Sequence, residues 1–282
     1  MPMPAPVMHV RPHDGVPLLV PAEAPPWLFL AFTTRGGGFS EGPFASLNLG
    51  RSVGDRPDAV RRNRERVLAA TGERWHWVAG ARQVHGCEVV VASRAAAWPA
   101  ECPPEADALV TTEPGVLLWA TFADCVPVFL WGESDGGSQG KGRGVALAHA
   151  GWRGTVAGVA AAAARRLAAE LGTGPAALSA LIGPSIGPCC YEVDEPVLSA
   201  LDSAFAWSRE VLSPSPRGEP YRHLDLWETN RRVLIDAGLR PENIYVAGLC
   251  TACDTERFYS HRASGGRTGR MAGLIGIRPF DA

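Results

Sequence analysis

Gly144-Val145-Ala146-Leu147-Ala148-His149-Ala150-Gly151-Trp152-Arg153-Gly154-Thr155 reads as a short buried strand, a glycine corner and the start of a helix. Val145 to Ala148 carries no charge, as befits a strand covered on both faces. Gly151 and Gly154 permit sharp turning and close approach of a ligand. Thr155 is a candidate N-cap for the alanine-rich segment Val156 to Leu171. His149, Trp152 and Arg153 then sit at a strand end beside a helix N-terminus, ground suited to a metal ligand and an anion site. A core histidine in an ordinary strand–helix junction fits the same residues.

Several strand candidates adjoin one another ahead of this stretch: Trp27 to Thr34, Trp75 to Ala79, Glu88 to Ala92, Ala106 to Thr111 and the apolar run Val116 to Trp131. Others follow it at Leu178 to Ile182, His223 to Leu226, Ile244 to Leu249 and Met271 to Ile277. Helices are expected at Asp55 to Ala70, with Asp55 as cap and Pro57 in the first turn, at Glu195 to Phe205 and at Glu228 to Ala237. Strands and helices mix without strict βαβ alternation. That points to an α+β fold: a single domain over 27–282 with a mixed β-sheet core and flanking helices. Residues 1–26 are proline-rich and read as an irregular lead-in, and Gly132 to Arg143 reads as a polar, glycine-rich loop.

The 282 residues are 46% hydrophobic with a net charge of -2, which suits a globular protein and gives no broad affinity for nucleic acid or anionic lipid. No apolar run reaches membrane-spanning length, since Asp124 and Pro127 interrupt the longest. The first residues lack the pattern of a secretory signal. Seven cysteines are therefore expected as reduced thiols in a cytoplasmic protein.

Three residues stand out chemically. His85 lies in the turn Gln83-Val84-His85-Gly86-Cys87. Cys125 lies in Ala123-Asp124-Cys125-Val126-Pro127, inside an apolar run, and His149 lies in the central stretch. Each has an ordinary reading: a surface histidine, a small buried hydrophobe and a core histidine. Together, two histidines and a cysteine make a catalytic zinc set, with three protein ligands and an open position. Asp124, rarely buried without a partner, is placed to orient a ligand, act as general base or bind substrate. Arg35, ahead of Gly36-Gly37-Gly38, and Arg153 are candidate anion clamps. Two pairs of cysteines stay outside this set. Cys189-Cys190 has the wrong spacing for a zinc knuckle, and Cys250-Thr251-Ala252-Cys253 lacks a second CxxC and reads as two reduced thiols, while Cys253 and the Cys189-Cys190 pair leave open a second metal or thiol role.

Gln83-Val84-His85-Gly86, Ala123-Asp124-Cys125-Val126-Pro127, His149-Ala150-Gly151-Trp152-Arg153-Gly154 and Gly183-Pro184-Ser185-Ile186-Gly187 resemble the signatures of the YfiH or laccase-domain family. Thr33-Thr34-Arg35-Gly36-Gly37 with Ser46-Leu47-Asn48-Leu49 resembles its N-terminal motif, so the likeness covers nearly the whole chain from Phe32 to Ile277. Family members are called polyphenol oxidases or purine nucleoside phosphorylases. The resemblance implies an α+β fold shared with the cysteine-hydrolase domain of cytotoxic necrotizing factors. It implies zinc on His85, Cys125 and His149; Cys125, His149 and Asp124 are the candidate catalytic residues. It implies purine nucleosides and phosphate as partners: phosphorolysis of adenosine, inosine, guanosine or methylthioadenosine, together with deamination of adenosine. It links Arg35 to phosphate or substrate, and Asn48 and Arg153 are further candidates for that role.

Three other readings compete. A copper-dependent polyphenol oxidase is disfavoured by only seven histidines with no His-x-His or His-Cys-His pair, although copper binds nitrogen and sulfur ligands more tightly than zinc. A metal-free hydrolase would use Cys125 as nucleophile and His149 as base, for example on peptidoglycan precursors. A non-catalytic binding module is the third. The sequence leaves the oligomeric state open.

Overall fold

In the computed structural model, which describes residues 8–134 and 142–279, fifteen strands and five helices alternate irregularly along the chain. The first half runs β1 (Met8–His13), β2 (Val16–Pro21), β3 (Leu28–Thr33), α1 (Pro57–Ala70), β4 (Trp77–Gly80), β5 (Val89–Val91), β6 (Ala108–Thr111), β7 (Val116–Phe122), β8 (Val126–Ser134) and β9 (Gly142–Ala150). The second half runs α2 (Trp152–Val156), α3 (Val159–Glu170), β10 (Leu178–Ile182), β11 (Glu192–Val193), α4 (Glu195–Ala204), β12 (Leu212–Pro214), β13 (Arg222–Leu224), α5 (Leu226–Asp236), β14 (Ile244–Val246) and β15 (Met271–Ile277).

Two six-stranded sheets carry the fold, in the orders β1-β2-β3-β15-β7-β4 and β14-β10-β8-β9-β6-β5, with a small third sheet β11-β13-β12. Both large sheets mix parallel and antiparallel pairs. The side-chain alternation of a strand explains the layering. On β3, Leu28, Leu30 and Phe32 join Phe129, Leu147 and Leu181 of the second sheet in a core between the sheets. Phe29 and Ala31 turn the other way and pack with Val67 and Ala70 of α1. The outer face of the second sheet is covered by α3, whose Ala160, Ala163, Ala164 and Leu167 pack on Val110, Val128 and Ala146. Every strand in the middle of these layers is apolar on both faces, and β9 is buried from Gly144 to Ala150. This is the α+β architecture expected from the sequence.

Five local expectations need correction. Residues 8–21 are not irregular. β1 and β2 form an antiparallel hairpin through Asp14 and Gly15, both at positive φ, as a two-residue type I′ turn requires. The run Val116 to Trp131 is two strands in different sheets, because the chain crosses over at Ala123-Asp124-Cys125, where Asp124 has φ 85°. The helix after β9 begins at Trp152 with Gly151 as its cap, so Thr155 lies inside it; Gly158, at φ 80°, then breaks the path before α3. α1 starts at Pro57 with Arg56 at the cap position, and Asp55 accepts instead from Asn48 Nδ2 and Arg56 N–H. The glycine-rich loop is shorter than read. Glu133 pairs with Arg143 and Ser134 with Gly142 in the β8–β9 ladder, and 135–141 lie outside the described residues. No helix among the described residues is long and apolar enough to cross a membrane.

Candidate metal centre and cleft

Two of the chain's crossings from the first sheet to the second build the site. One joins β4 to β5 and carries His85; the other joins β7 to β8 and carries Cys125. β9 runs antiparallel to β8 with His149 opposite Pro127, two residues from Cys125. One ligand atom from each of His85, Cys125 and His149 lies within 4.8 Å of the others, and the imidazole centroids are 5.0 Å apart. Gly151 leaves room for this approach, because a Cβ there would stand 2.9 Å from Cys125 Sγ and 3.3 Å from His85 Cδ2.

Asp107 organises the cluster, and sequence reasoning missed it. Its side chain is fully buried at the head of β6, and Oδ1 accepts from His149 Nδ1 at 2.8 Å. Oδ2 accepts from Gly86 N–H at 2.7 Å and Val84 N–H at 3.1 Å, which holds His85 at φ 61°. A carboxylate on Nδ1 fixes the tautomer that leaves Nε2 free for a cation, as in carboxylate–histidine–metal relays. The signal in the sequence was an aspartate opening an apolar strand, which burial obliges to find donors.

Electrostatics follow from these contacts. Burial would raise the Cys125 thiol, but His149 and His85 beside it bring it down to about 6. Burial would lower His149, yet the Cys125 thiolate and Asp107 raise it to about 9. Asp107 itself, which burial would raise, is held below the usual carboxylate range by His149 and the Gly86 N–H. A thiolate with two imidazoles is a soft nitrogen–sulfur donor set that suits zinc, and also copper.

The cluster opens on a cavity of about 740 Å³, within the usual size of small-molecule sites. Arg51, Arg64, Arg82, Arg153, Arg262 and Arg270 line it, and Trp98, Trp152 and Tyr191 supply aromatic surface. Most of the guanidinium groups are anchored: Arg82 pairs with Glu105, Arg262 reaches Glu192 O, and Arg64 reaches Leu49 O while stacking 4.5 Å from the Trp119 ring centroid. Arg153 is exposed, lies over Trp152, and pairs with no carboxylate among the described residues.

Asp124, Arg35 and Asn48 are placed otherwise than the sequence reading supposed. Asp124 borders the cavity, but Oδ1 accepts from Thr251 Oγ1 and Oδ2 from Arg262 N–H, both at 2.7 Å. Its oxygens tie the 251–262 segment to the crossing at Cys125, so it positions both. Arg35 lies outside the cavity lining, its guanidinium donating to Ala45 O and Thr255 O. The neighbouring glycines serve packing, since a Cβ on Gly38 would fall 2.2 Å from Ser46 O. Asn48 is also outside. It is buried, and its Oδ1 accepts from Gly50 N–H and Arg270 N–H, so it acts on the cavity by positioning Arg270.

Residues 29–278 match the family described as multi-copper polyphenol oxidoreductase laccase. The chain belongs to the YfiH, or laccase-domain, family. Within it, the chain is 41% identical over 273 residues to purine nucleoside phosphorylase YlmD of Geobacillus stearothermophilus, covering 90% of this chain and 93% of that protein. It is 40% identical to a purine nucleoside phosphorylase of Deinococcus radiodurans, covering 93% and 94%. Among solved structures of the family, YfiH of Bacillus licheniformis superposes with a TM-score of 0.81 at 34% identity, covering 95% of this chain and 99% of the other. YlmD of Geobacillus stearothermophilus superposes at 0.79 with 37% identity, covering 97% and 99%.

Proposed function

We propose that this chain is a zinc-dependent purine nucleoside phosphorylase that also deaminates adenosine. The observation that carries the reading is one cavity in which a Cys–His–His cluster faces a group of arginines. The names of its relatives support the same substrates. His85, Cys125 and His149 are the residues that would hold the metal, and Asp107 would keep His149 in the ligating tautomer. Bound there, zinc supplies Lewis acidity with a coordination position left open.

The protein's own residues do the rest. In phosphorolysis the N-glycosidic bond breaks as a phosphate oxygen bonds to the anomeric carbon, giving ribose 1-phosphate and a free purine that takes up a proton. Arg153, an exposed guanidinium beside the metal cluster, would capture phosphate, and Arg270, positioned by Asn48, would add positive field. Trp98, Trp152 and Tyr191 offer flat apolar surface to a purine. In deamination, water replaces the amino group at purine C6 and ammonia leaves, a reaction that fits a purine held against the same metal cluster. Asp124 acts as a positioning residue in both, by holding Arg262 and Thr251 in place.

The test is incubation with adenosine, inosine, guanosine and methylthioadenosine, with and without phosphate, reading products by mass. Phosphate-dependent release of base with ribose 1-phosphate supports phosphorolysis, and inosine from adenosine supports deamination. Failure of all four nucleosides with zinc-loaded protein overturns the reading.

A second reading rests on a specific contact. Cys125, His149 and Asp107 also form a thiolate–imidazole–carboxylate series, the layout of a cysteine hydrolase. Activity that survives chelation but is abolished by alkylation of Cys125 would favour it.

A further inference from the structure

The two cysteine pairs that remained unassigned in the sequence meet in space. Cys189 and Cys190 lie on the loop between β10 and β11, and Cys250 and Cys253 on the turn after β14. All four Sγ atoms lie within 4.8 Å of one another. Cys253 Sγ is 3.3 Å from that of Cys189 and 3.4 Å from that of Cys190. Tetrahedral zinc with Zn–S bonds of about 2.3 Å needs sulfurs about 3.8 Å apart, so the cluster has the dimensions of such a site with small side-chain adjustments. The backbone is built to bring the sulfurs together. Ser185 N–H donates to Leu249 O and Thr251 N–H to Ser185 O, which pins the two segments side by side. Cys190 and Tyr191 N–H both donate to Gly187 O, a tight turn that directs two adjacent thiols to one side. Gly187 N–H donates to Cys250 Sγ at 3.2 Å, an arrangement that favours a thiolate. A Cβ at Gly187 would stand 2.7 Å from Trp227 and 3.2 Å from Cys250 Cβ, so the approach requires glycine.

We propose that Cys189, Cys190, Cys250 and Cys253 bind one zinc ion as a closed tetrathiolate, a structural site separate from the Cys–His–His centre. Four sulfur ligands leave no open position, so the site is built for cross-linking rather than catalysis. Sulfur donors alone select soft or borderline cations such as zinc over magnesium or calcium. What it cross-links matters for the cavity. The 183–193 loop supplies Ile186 and Tyr191 to the wall, and the 250–254 turn supplies Thr251, which donates to Asp124. The metal would fasten this wall to the segment beside Cys125.

Zinc content, measured on protein purified without chelator, tests the assignment. The parent protein is expected to hold about two zinc ions per chain and the Cys253→Ser protein about one. Cobalt substitution of the Cys125→Ser protein gives an independent readout, because that change removes the catalytic thiolate. Intense thiolate-to-cobalt charge transfer with tetrahedral visible bands is then expected from the four sulfurs of Cys189, Cys190, Cys250 and Cys253. A Cys253→Ser protein that fails to fold leaves this spectrum as the deciding measurement. The proposal is overturned if the Cys125→Ser protein shows no thiolate–cobalt bands. It is overturned equally if Cys253→Ser keeps the parent's zinc content, or if the mass of the parent, denatured under non-reducing conditions, reveals a disulfide among these four residues.

Discussion

Replacing Asp107 by asparagine changes one atom of the cluster's support and should cost the metal its site. The aspartate accepts three hydrogen bonds, at 2.8 Å from His149 Nδ1, 2.7 Å from Gly86 N–H and 3.1 Å from Val84 N–H. Asparagine has one acceptor oxygen and one donor group. If the oxygen stays with the two backbone N–H groups, the amide NH₂ faces Nδ1. The imidazole must then move its proton to Nε2, the nitrogen left for zinc. If the oxygen turns to His149 instead, the Gly86 and Val84 N–H groups face a donor and the His85 loop loses its anchor. Loss of such a supporting carboxylate typically weakens a metal 10- to 100-fold, about 1.4–2.7 kcal/mol. Loss of a charged hydrogen-bond acceptor takes about 1.5–3 kcal/mol from the stability as well. Competition with a chromophoric chelator measures the first effect and urea unfolding of the zinc-free protein the second. Unchanged zinc affinity in folded Asp107→Asn protein would refute the role given to this residue.

His85→Ala, Cys125→Ala and His149→Ala should each lose most bound metal and most nucleoside turnover, and full zinc content with full phosphorolysis in the Cys125→Ala protein would sink the ligand assignment. Arg153→Ala should raise the KM for phosphate about 10- to 100-fold, the worth of a charged hydrogen bond, while elemental analysis finds the metal unchanged. Gly151→Ala should lower zinc affinity without touching a ligand, since its Cβ would crowd Cys125 Sγ at 2.9 Å; a calorimetric zinc titration reads this directly. Arg35→Ala should lower stability by about 1–3 kcal/mol, because its guanidinium ties Ala45 O to Thr255 O, and should leave the phosphate KM as it was.

What could be read from the sequence depended on whether the signal was local. Leu178–Ile182 and Met271–Ile277 are strands with the bounds expected, because each is a short apolar run between turn residues. In the run Val116 to Trp131, Asp124 marked an interruption but not that the two sides serve different sheets. Both halves are buried on both faces, so hydropathy is the same on either side of the crossing. The β1–β2 hairpin carried an Asp14-Gly15 turn signal that the surrounding prolines obscured. For the site, residue chemistry singled out His85, Cys125 and His149. Asp107 was hidden because its importance lies in three hydrogen bonds to other segments. Arg35 misled for the converse reason. A glycine run beside a cation looks like an anion cradle until the backbone it packs against is known. Cys189, Cys190, Cys250 and Cys253 looked idle because their spacing fits no linear pattern, and the pairing of Ser185 with Cys250 brings them together.

β15 sits between β3 and β7 in the first sheet, hydrogen-bonded to both. Its residues leave the ribosome after those of every other strand in that sheet. Until then β3 and β7 have no neighbour on their facing sides, and two long apolar edges wait for a partner that has yet to be made. Assembly of this half of the molecule therefore waits on its last strand, and the growing polypeptide must be shielded from its own kind during that delay.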